Sequence, residues 1–201
     1  MAVTNLPLIL LAAGRSSRMR GNDKLMEEVD GMPLITRQAR LARSVTSGPV
    51  LVALPSAPHP RHAALAGINV TKVPVPNASE GINASIRTAF LGVPDTAPAA
   101  ILFLADMPAL QLSDFNLVID AIDTKSENQI WRGATQDNKP GHPIIFASVL
   151  FDQLRAVSGD TGARDVAQPL LDKTVLVPLP DNHARLDLDT PEEWAAWRAR
   201  R

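Results

Sequence analysis

The sequence predicts an α/β fold, a mostly parallel, twisted sheet between two layers of helices. Three observations carry the prediction. Short runs that are apolar at every position recur along the chain, as strands buried on both faces do. Longer stretches between them repeat their apolar residues at helical spacing. The two kinds of segment alternate, which is the order that builds parallel sheets through crossover helices.

The first run, Pro7 to Gly14 (PLILLAAG), is apolar up to a glycine. Comparable runs follow at Val50 to Pro55, Ile101 to Asp106, Pro143 to Ala147 and Thr174 to Pro180. Leu34, Ala39, Leu41 and Ala42 lie in a helical stretch opened by Pro33. Ile82, Ile86, Ala89 and Phe90 mark a second helix. Phe115, Val118, Ile119 and Ile122 mark a third, with Ser113 placed to cap it. A final helix begins with Thr190 as cap, Pro191 in the first turn and Glu193 completing a capping box. Its acids, Glu192 and Glu193, come first and Arg198, Arg200 and Arg201 last, as the helix dipole favours. Trp194 and Trp197, three apart on it, read as packing residues.

The chain has 201 residues, no internal repeat and no Pro-rich linker, so one domain over residues 1–201 is expected. With 20 Lys+Arg against 21 Asp+Glu there is no basic field for holding nucleic acid by counterion release. The absence of cysteine excludes disulfides, thiolate metal sites and cysteine nucleophiles. The longest apolar run, Leu6 to Gly14, is too short to cross a bilayer and is followed, not preceded, by Arg15 and Arg18. The expectation is a cytoplasmic protein with neither membrane nor nucleic acid as partner.

In parallel sheets the ligand crevice lies beyond the carboxyl ends of the strands, so the residues that follow each apolar run matter most. Leu10 to Lys24 (LLAAGRSSRMRGNDK) is a buried strand leading into a small-residue turn and a basic loop. Ala12, Ala13 and Gly14 would let a ligand approach the backbone, and Arg15, Arg18 and Lys24 would suit a polyphosphate. The same residues also read as a solvated basic loop, and the Walker A pattern is absent. Pro76 to Phe90 is a loop entering a helix, with Gly81 at the turn and Ser85 inside. Leu102 to Pro108 is a strand ending in Asp106, either a turn residue or a carboxylate at the ligand edge. Asp187 and Asp189 share one face if their segment is extended. Gly141 and Pro143 shape a turn into a strand with His142 at its entrance, and Ser158 to Gly162 forms a polar turn before a short helix. His59, His62 and His183 show no metal-ligand spacing and read as surface residues.

Taken together, Leu-Ala-Ala-Gly-x-Ser-x-Arg-Met from Leu11 to Met19, with Lys24 shortly after, resembles the signature loop of the MobA-like nucleotidyltransferases. The resemblance is closest to the molybdenum cofactor cytidylyltransferases and runs in order from Leu8 to Trp194. It implies a Rossmann-like fold of the nucleotide-diphospho-sugar transferase type, and transfer of CMP from CTP to the phosphate of a molybdopterin-type acceptor. Arg18 and Lys24 would take the phosphates and, with Asp106, form the catalytic set. Leu11, Ala12, Ala13 and Gly14 would line the base, joined by Gly81 and Ser85, with Asn77 or Ser79 nearby. Asp106 would bind Mg2+, with Asp189, or failing it Asp187, as second ligand; Mg2+ prefers one or two carboxylates plus water and phosphate oxygens. His142, Asp160 and Arg164 would face the acceptor, although His142 also reads as a surface residue and Arg164 as a salt-bridge partner. A transient contact with a molybdenum hydroxylase would complete the partners. The sequence departs from many members in one place, where Arg20 stands between Met19 and Gly21. A sugar-phosphate nucleotidyltransferase, a cofactor carrier without transfer activity and a nucleotide-sensing domain are the competing readings.

Overall fold

The computed structural model describes residues 4–123, 125–159 and 161–200. Strand β1 (Leu8–Leu11) is the first apolar run. A short hairpin, β2 (Glu28–Val29) and β3 (Met32–Pro33), leads into helix α1 (Leu34–Val45). There follow β4 (Val50–Pro55), α2 (Pro60–Ala64), β5 (Thr71–Val75), α3 (Ile82–Phe90), β6 (Ala99–Leu104) and α4 (Leu112–Asp120). The chain continues with β7 (Ile130–Ala134), β8 (Pro140–Ala147), α5 (Phe151–Arg155), α6 (Arg164–Ala167), β9 (Thr174–Pro178) and α7 (Pro191–Arg198).

Seven strands form one sheet in the order β5-β4-β1-β6-β8-β7-β9. The pairings β5/β4, β4/β1, β1/β6 and β7/β9 are parallel, while β8 runs against both of its neighbours. The expected mostly parallel sheet is present. The strand order places β1 inside the sheet between β4 and β6, so the loop leaving β1 emerges between the ends of those strands. That is where a doubly wound sheet opens its crevice.

Strand alternation divides the core into two layers. Leu8, Leu10, Val52, Ile101 and Phe103 point to one face, where they meet Leu34 and Ile35 of α1, Phe115 and Val118 of α4 and Trp194 of α7. Ile9, Leu11, Ala53 and Leu102 point to the other, against Ala89 and Phe90 of α3, Leu154 of α5 and Val166 of α6. The result is the predicted three-layer arrangement. Trp194 and Trp197 are buried edge-to-face in the first layer, as expected of packing residues.

The structure corrects several local expectations. β5 and β7 escape the apolar-run criterion for different reasons. β5 is an edge strand, half-exposed and carrying Pro74, which an edge tolerates because one side makes no ladder. β7 interrupts its apolar residues with Arg132 and Gly133. Helix α4 is not capped by Ser113. Its N-cap is Gln111, whose N–H donates to the Asp114 carboxylate at 2.9 Å. Gly141 and Pro143 lie inside β8 rather than in a turn before it. Gly141 is required there by close approach, since a Cβ would stand 2.0 Å from the Ala184 carbonyl oxygen.

Candidate active site

The ends of β1 and β6 lie side by side, joined by the Ala105 N–H donating to the Leu11 carbonyl at 3.0 Å. Asp106 therefore stands beside the loop that leaves β1. The last irregular segment is hooked onto the same place. Leu188 is buried, and its N–H donates to the Asp106 carbonyl at 3.3 Å, which delivers Asp189 to the strand ends. The capping box of α7 fixes Asp189 from the other side. Glu193 accepts from the N–H groups of Asp189 and Thr190 at 2.8 and 3.0 Å, and its own N–H donates to the Thr190 hydroxyl at 3.2 Å.

Lys24 sits where these pieces converge. Its ammonium donates to Asp106 Oδ2 at 2.5 Å and to Asp189 Oδ1 at 2.6 Å, with all three side chains only 12 to 17% exposed. Arg18, two-thirds exposed, pairs with the other Asp189 oxygen at 2.5 Å. Burial pulls the Lys24 ammonium down, but the Asp106 and Asp189 carboxylates outweigh it and hold the group above its ordinary value. Asp187 is shifted up, first by partial burial and then by the Asp106 and Asp189 charges, so the three carboxylates feel one another. Asp106 Oδ1 is buried without a hydrogen-bond partner. A buried carboxylate oxygen left over beside a second carboxylate is a donor set suited to a hard divalent cation that draws its other ligands from water and phosphate. Among the described residues, no cluster of three or more His, Cys, Asp or Glu side chains stands ready as a full protein cage. The two aspartates fit Mg2+ in that limited sense.

The loop from Ala12 to Lys24 is shaped from within and from behind. Ser16 and Arg20, both at positive φ, flank a 3-10 turn over Ser17–Met19. Gly21 follows at φ 97°. Arg20 thus accommodates the one-residue departure from the signature, and its guanidinium reaches Glu192 at the start of α7 at 2.6 Å. Behind the loop lies Arg61, on α2 and 1% exposed. It donates to the Ala12 carbonyl at 2.6 Å, to both oxygens of Asp23 at 2.6 and 2.8 Å, and to the Ser16 hydroxyl at 3.2 Å. Burial acts to raise the Asp23 carboxyl, but the Arg61 hydrogen bond and charge prevail and hold it below its usual value.

Two cavities border the elements that carry this centre, one beside the loop after β1 and the other beside β6, and none of Arg18, Lys24, Asp106 and Asp189 lines either. One, of about 540 Å³, is lined by Ala13, Gly14, Asp23, His59, Arg61 and Ser79 among others. The second, of about 720 Å³, has an apolar wall that includes Ile82, Leu102 and Ile144 and a polar wall of Arg132, His142, Arg164 and Arg185. His142 has its pKa lowered to about 4, chiefly by burial and then by the Arg132 charge, so it is neutral near pH 7. Arg132 is itself lowered to about 10 by burial and by Arg185.

The predicted site residues fall as follows. Arg18, Lys24, Asp106 and Asp189 meet at one point. Ala13 and Gly14 line the smaller cavity, whereas Leu11 and Ala12 are packed in the core layers. Gly81 begins α3 at φ 104°, and Ser85 is buried within that helix; neither lines either cavity. His142 and Arg164 both line the larger cavity, and His142 is half-buried rather than a surface residue. Asp160 lies outside the described residues. The other histidines also differ from expectation. His59 and His62 are half-buried, and His183 pairs with the fully buried Asp114 at 2.9 Å. Arg61, Asp23, Arg132 and Arg185 carried no sequence signal, because a single polar residue on a short helix, in a loop or in an interrupted strand shows nothing of what it faces.

The chain matches the family model for the MobA-like NTP transferase domain over residues 8–175. No curated protein matches it. Among solved structures, it is similar to Rv0371c from Mycobacterium tuberculosis H37Rv, with 25% identity, a TM-score of 0.82 and 98% of each chain covered. It is also similar to the Rv0371c homolog from Mycobacterium sp. strain JC1, with 23% identity, a TM-score of 0.83 and coverage of 98% of this chain and 96% of that one. A structure of Rv0371C in complex with manganese matches with 23% identity, a TM-score of 0.78 and coverage of 96% and 97%. With the signature loop, the paired aspartates at the strand ends and a family match across most of its length, the chain belongs to the MobA-like NTP transferase domain family.

Proposed function

We propose that this nucleotidyltransferase moves CMP from CTP to the phosphate of a molybdopterin-type acceptor, with Mg2+ as its cofactor, and releases pyrophosphate. The observation that carries the reading is the meeting of Lys24, Asp106 and Asp189 where the signature loop joins the strand ends, with one cavity bordering that loop at Gly14 and Asp23 and another bordering β6 at Leu102 and Leu104. The smaller cavity borders the signature loop and suits the nucleotide. The larger one pairs an apolar wall with arginines, as an anionic heterocyclic acceptor requires.

The acceptor phosphate attacks the α-phosphorus of the nucleotide. A new P–O bond forms and the bond to the β-phosphate oxygen breaks, so pyrophosphate departs. A phosphate monoester is largely dianionic near pH 7, so no strong general base is needed. The work left to the protein is to bring two anions together and offset their repulsion. Lys24 and Arg18 exchange their carboxylate partners for phosphate oxygens and meet the charge that grows on pyrophosphate. Neutral His142 donates or accepts one hydrogen bond in the acceptor cavity without adding charge. Asp106 and Asp189 would hold Mg2+, which when bound neutralises charge on the phosphates. The similar protein Rv0371C has been solved in complex with manganese, which is in line with a divalent cation as cofactor.

The test follows pyrophosphate release by the purified protein with Mg2+ and molybdenum-loaded molybdopterin, with CTP, GTP, ATP and UTP in separate reactions. Release with CTP alone, lost without Mg2+, supports the reading. Release only with sugar or other alcohol phosphates would move the acceptor to that class. No release with any acceptor, despite cofactor binding, would make the protein a carrier.

A further inference from the structure

Arg61 touches no reacting group in the chemistry above; it lines the smaller cavity and is the most buried cation of the site. We propose that Arg61 is the positioning residue of the nucleotide loop: its guanidinium staples residues 12 to 24 into the shape that receives a triphosphate before the nucleotide arrives. The inference rests on the reading of this loop as the triphosphate cradle.

The guanidinium grips the loop at three places, the Ala12 carbonyl where β1 ends, the Ser16 hydroxyl at the left-handed turn and the Asp23 carboxylate beside Lys24. Asp23 and Ser16 relay that grip to the neighbouring backbone. Asp23 accepts from the Leu25 N–H at 3.0 Å and from the Ser16 hydroxyl at 3.2 Å, and Ser16 accepts from the Lys24 N–H at 3.2 Å. Two hydrogen bonds therefore link Arg61 to the main chain of Lys24. The bidentate contact to Asp23 needs the planar fork of arginine, which lysine cannot reproduce. Asp23 also cancels the charge of Arg61, so the pair contributes direction rather than field, and Lys24 and Arg18 remain the cations for phosphate. A loop left to sample other shapes is binding-competent only for a fraction of the time, and apparent affinity falls by that fraction.

The decisive variant is Arg61→Lys, which keeps the charge and removes the fork. In the nucleotide-free protein, amides of residues 12–24 should exchange at least about 10-fold faster than in wild type, and the KM for CTP should rise by about as much. The kcat at saturating CTP and the acceptor KM should stay within about twofold, because the reacting groups are unchanged once the loop is closed. If Arg61→Lys does not fold, the double variant Arg61→Met with Asp23→Leu removes both charges without orphaning either, and the same shifts are expected of it. Folded variants with wild-type exchange would overturn the proposal whatever their CTP affinity, since a raised KM alone would then report direct contact from the cavity wall, and so would an equal rise in the acceptor KM. A wild-type protein that binds no nucleoside triphosphate in calorimetric titration would instead sink the functional reading. The exchange measurement needs no ligand and would still decide whether Arg61 holds the loop.

Discussion

Lys24 holds two carboxylates that would otherwise repel each other, and this makes the charge of the site a matter of a few side chains. Asp106→Asn leaves Lys24 its Asp189 contact, so the fold should survive. Turnover should fall by at least ~10²-fold, the scale for losing a group that organises transition-state charge. Near-wild-type turnover with an unchanged melting temperature would remove Asp106 from the mechanism. His142 makes a different kind of prediction. Its pKa falls from an ordinary 6.5 to about 4 in the folded protein. Between those values the unfolded chain takes up a proton that the folded chain refuses, so stability is lost as pH drops through this window and levels off below it. His142→Gln should flatten that stretch of the acid limb in a series of melting temperatures from pH 7 to pH 3.5. An identical limb in wild type and variant would show that His142 is not the group responsible.

Helix α7 shows how a local signal serves a distant site. Its capping box is written in consecutive residues, Thr190 to Glu193, and appears in the structure as expected. Glu193 goes one residue further and also accepts from the Asp189 N–H, so the helix start aims the carboxylate. Thr190→Ala should destabilise the protein by about 0.5–2 kcal/mol and reduce turnover more than that loss of folded protein explains. Denaturant titration beside an activity assay separates the two; activity that tracks the folded fraction alone would show that the cap does not position Asp189. Strand β8 presents the reverse situation. Its apolar residues are plain in the sequence, but its antiparallel direction is not, because a strand buried on both faces carries no mark of which way its neighbours run.

At the scale of the whole molecule, the site depends on the closing segment being laid across β8. Gly141 N-terminal to His142 lets the backbone at Ala184 come close, and the His142 N–H donates to the Ala184 carbonyl at 2.8 Å. A methyl at position 141 would strike that carbonyl. Gly141→Ala should therefore cost about 1–3 kcal/mol, the range for overpacking, and should weaken catalysis by displacing the segment that ends at Asp189. Thermal unfolding with no change in midpoint would show that the segment can shift without loss. Of the described residues, no helix is long and apolar enough to cross a membrane.

Features that depend on neighbours along the chain are written in the residues themselves. Apolar runs marked the central strands, helical spacing marked α1, α3 and α4, the capping box marked α7, and the signature loop with Asp106 pointed to residues that the fold brings together. These signals are local because strand burial, helix periodicity and turn chemistry all act within a few residues. Folding alone brings Lys24 between Asp106 and Asp189, carries Asp189 in beside Leu188, whose N–H binds the Asp106 carbonyl, and sets Arg61 behind the loop. Those contacts join residues 38 to 165 positions apart. Such partners are chosen by how the sheet stacks its strand ends, and a lone polar residue in a loop reads the same whether it faces water or a buried carboxylate.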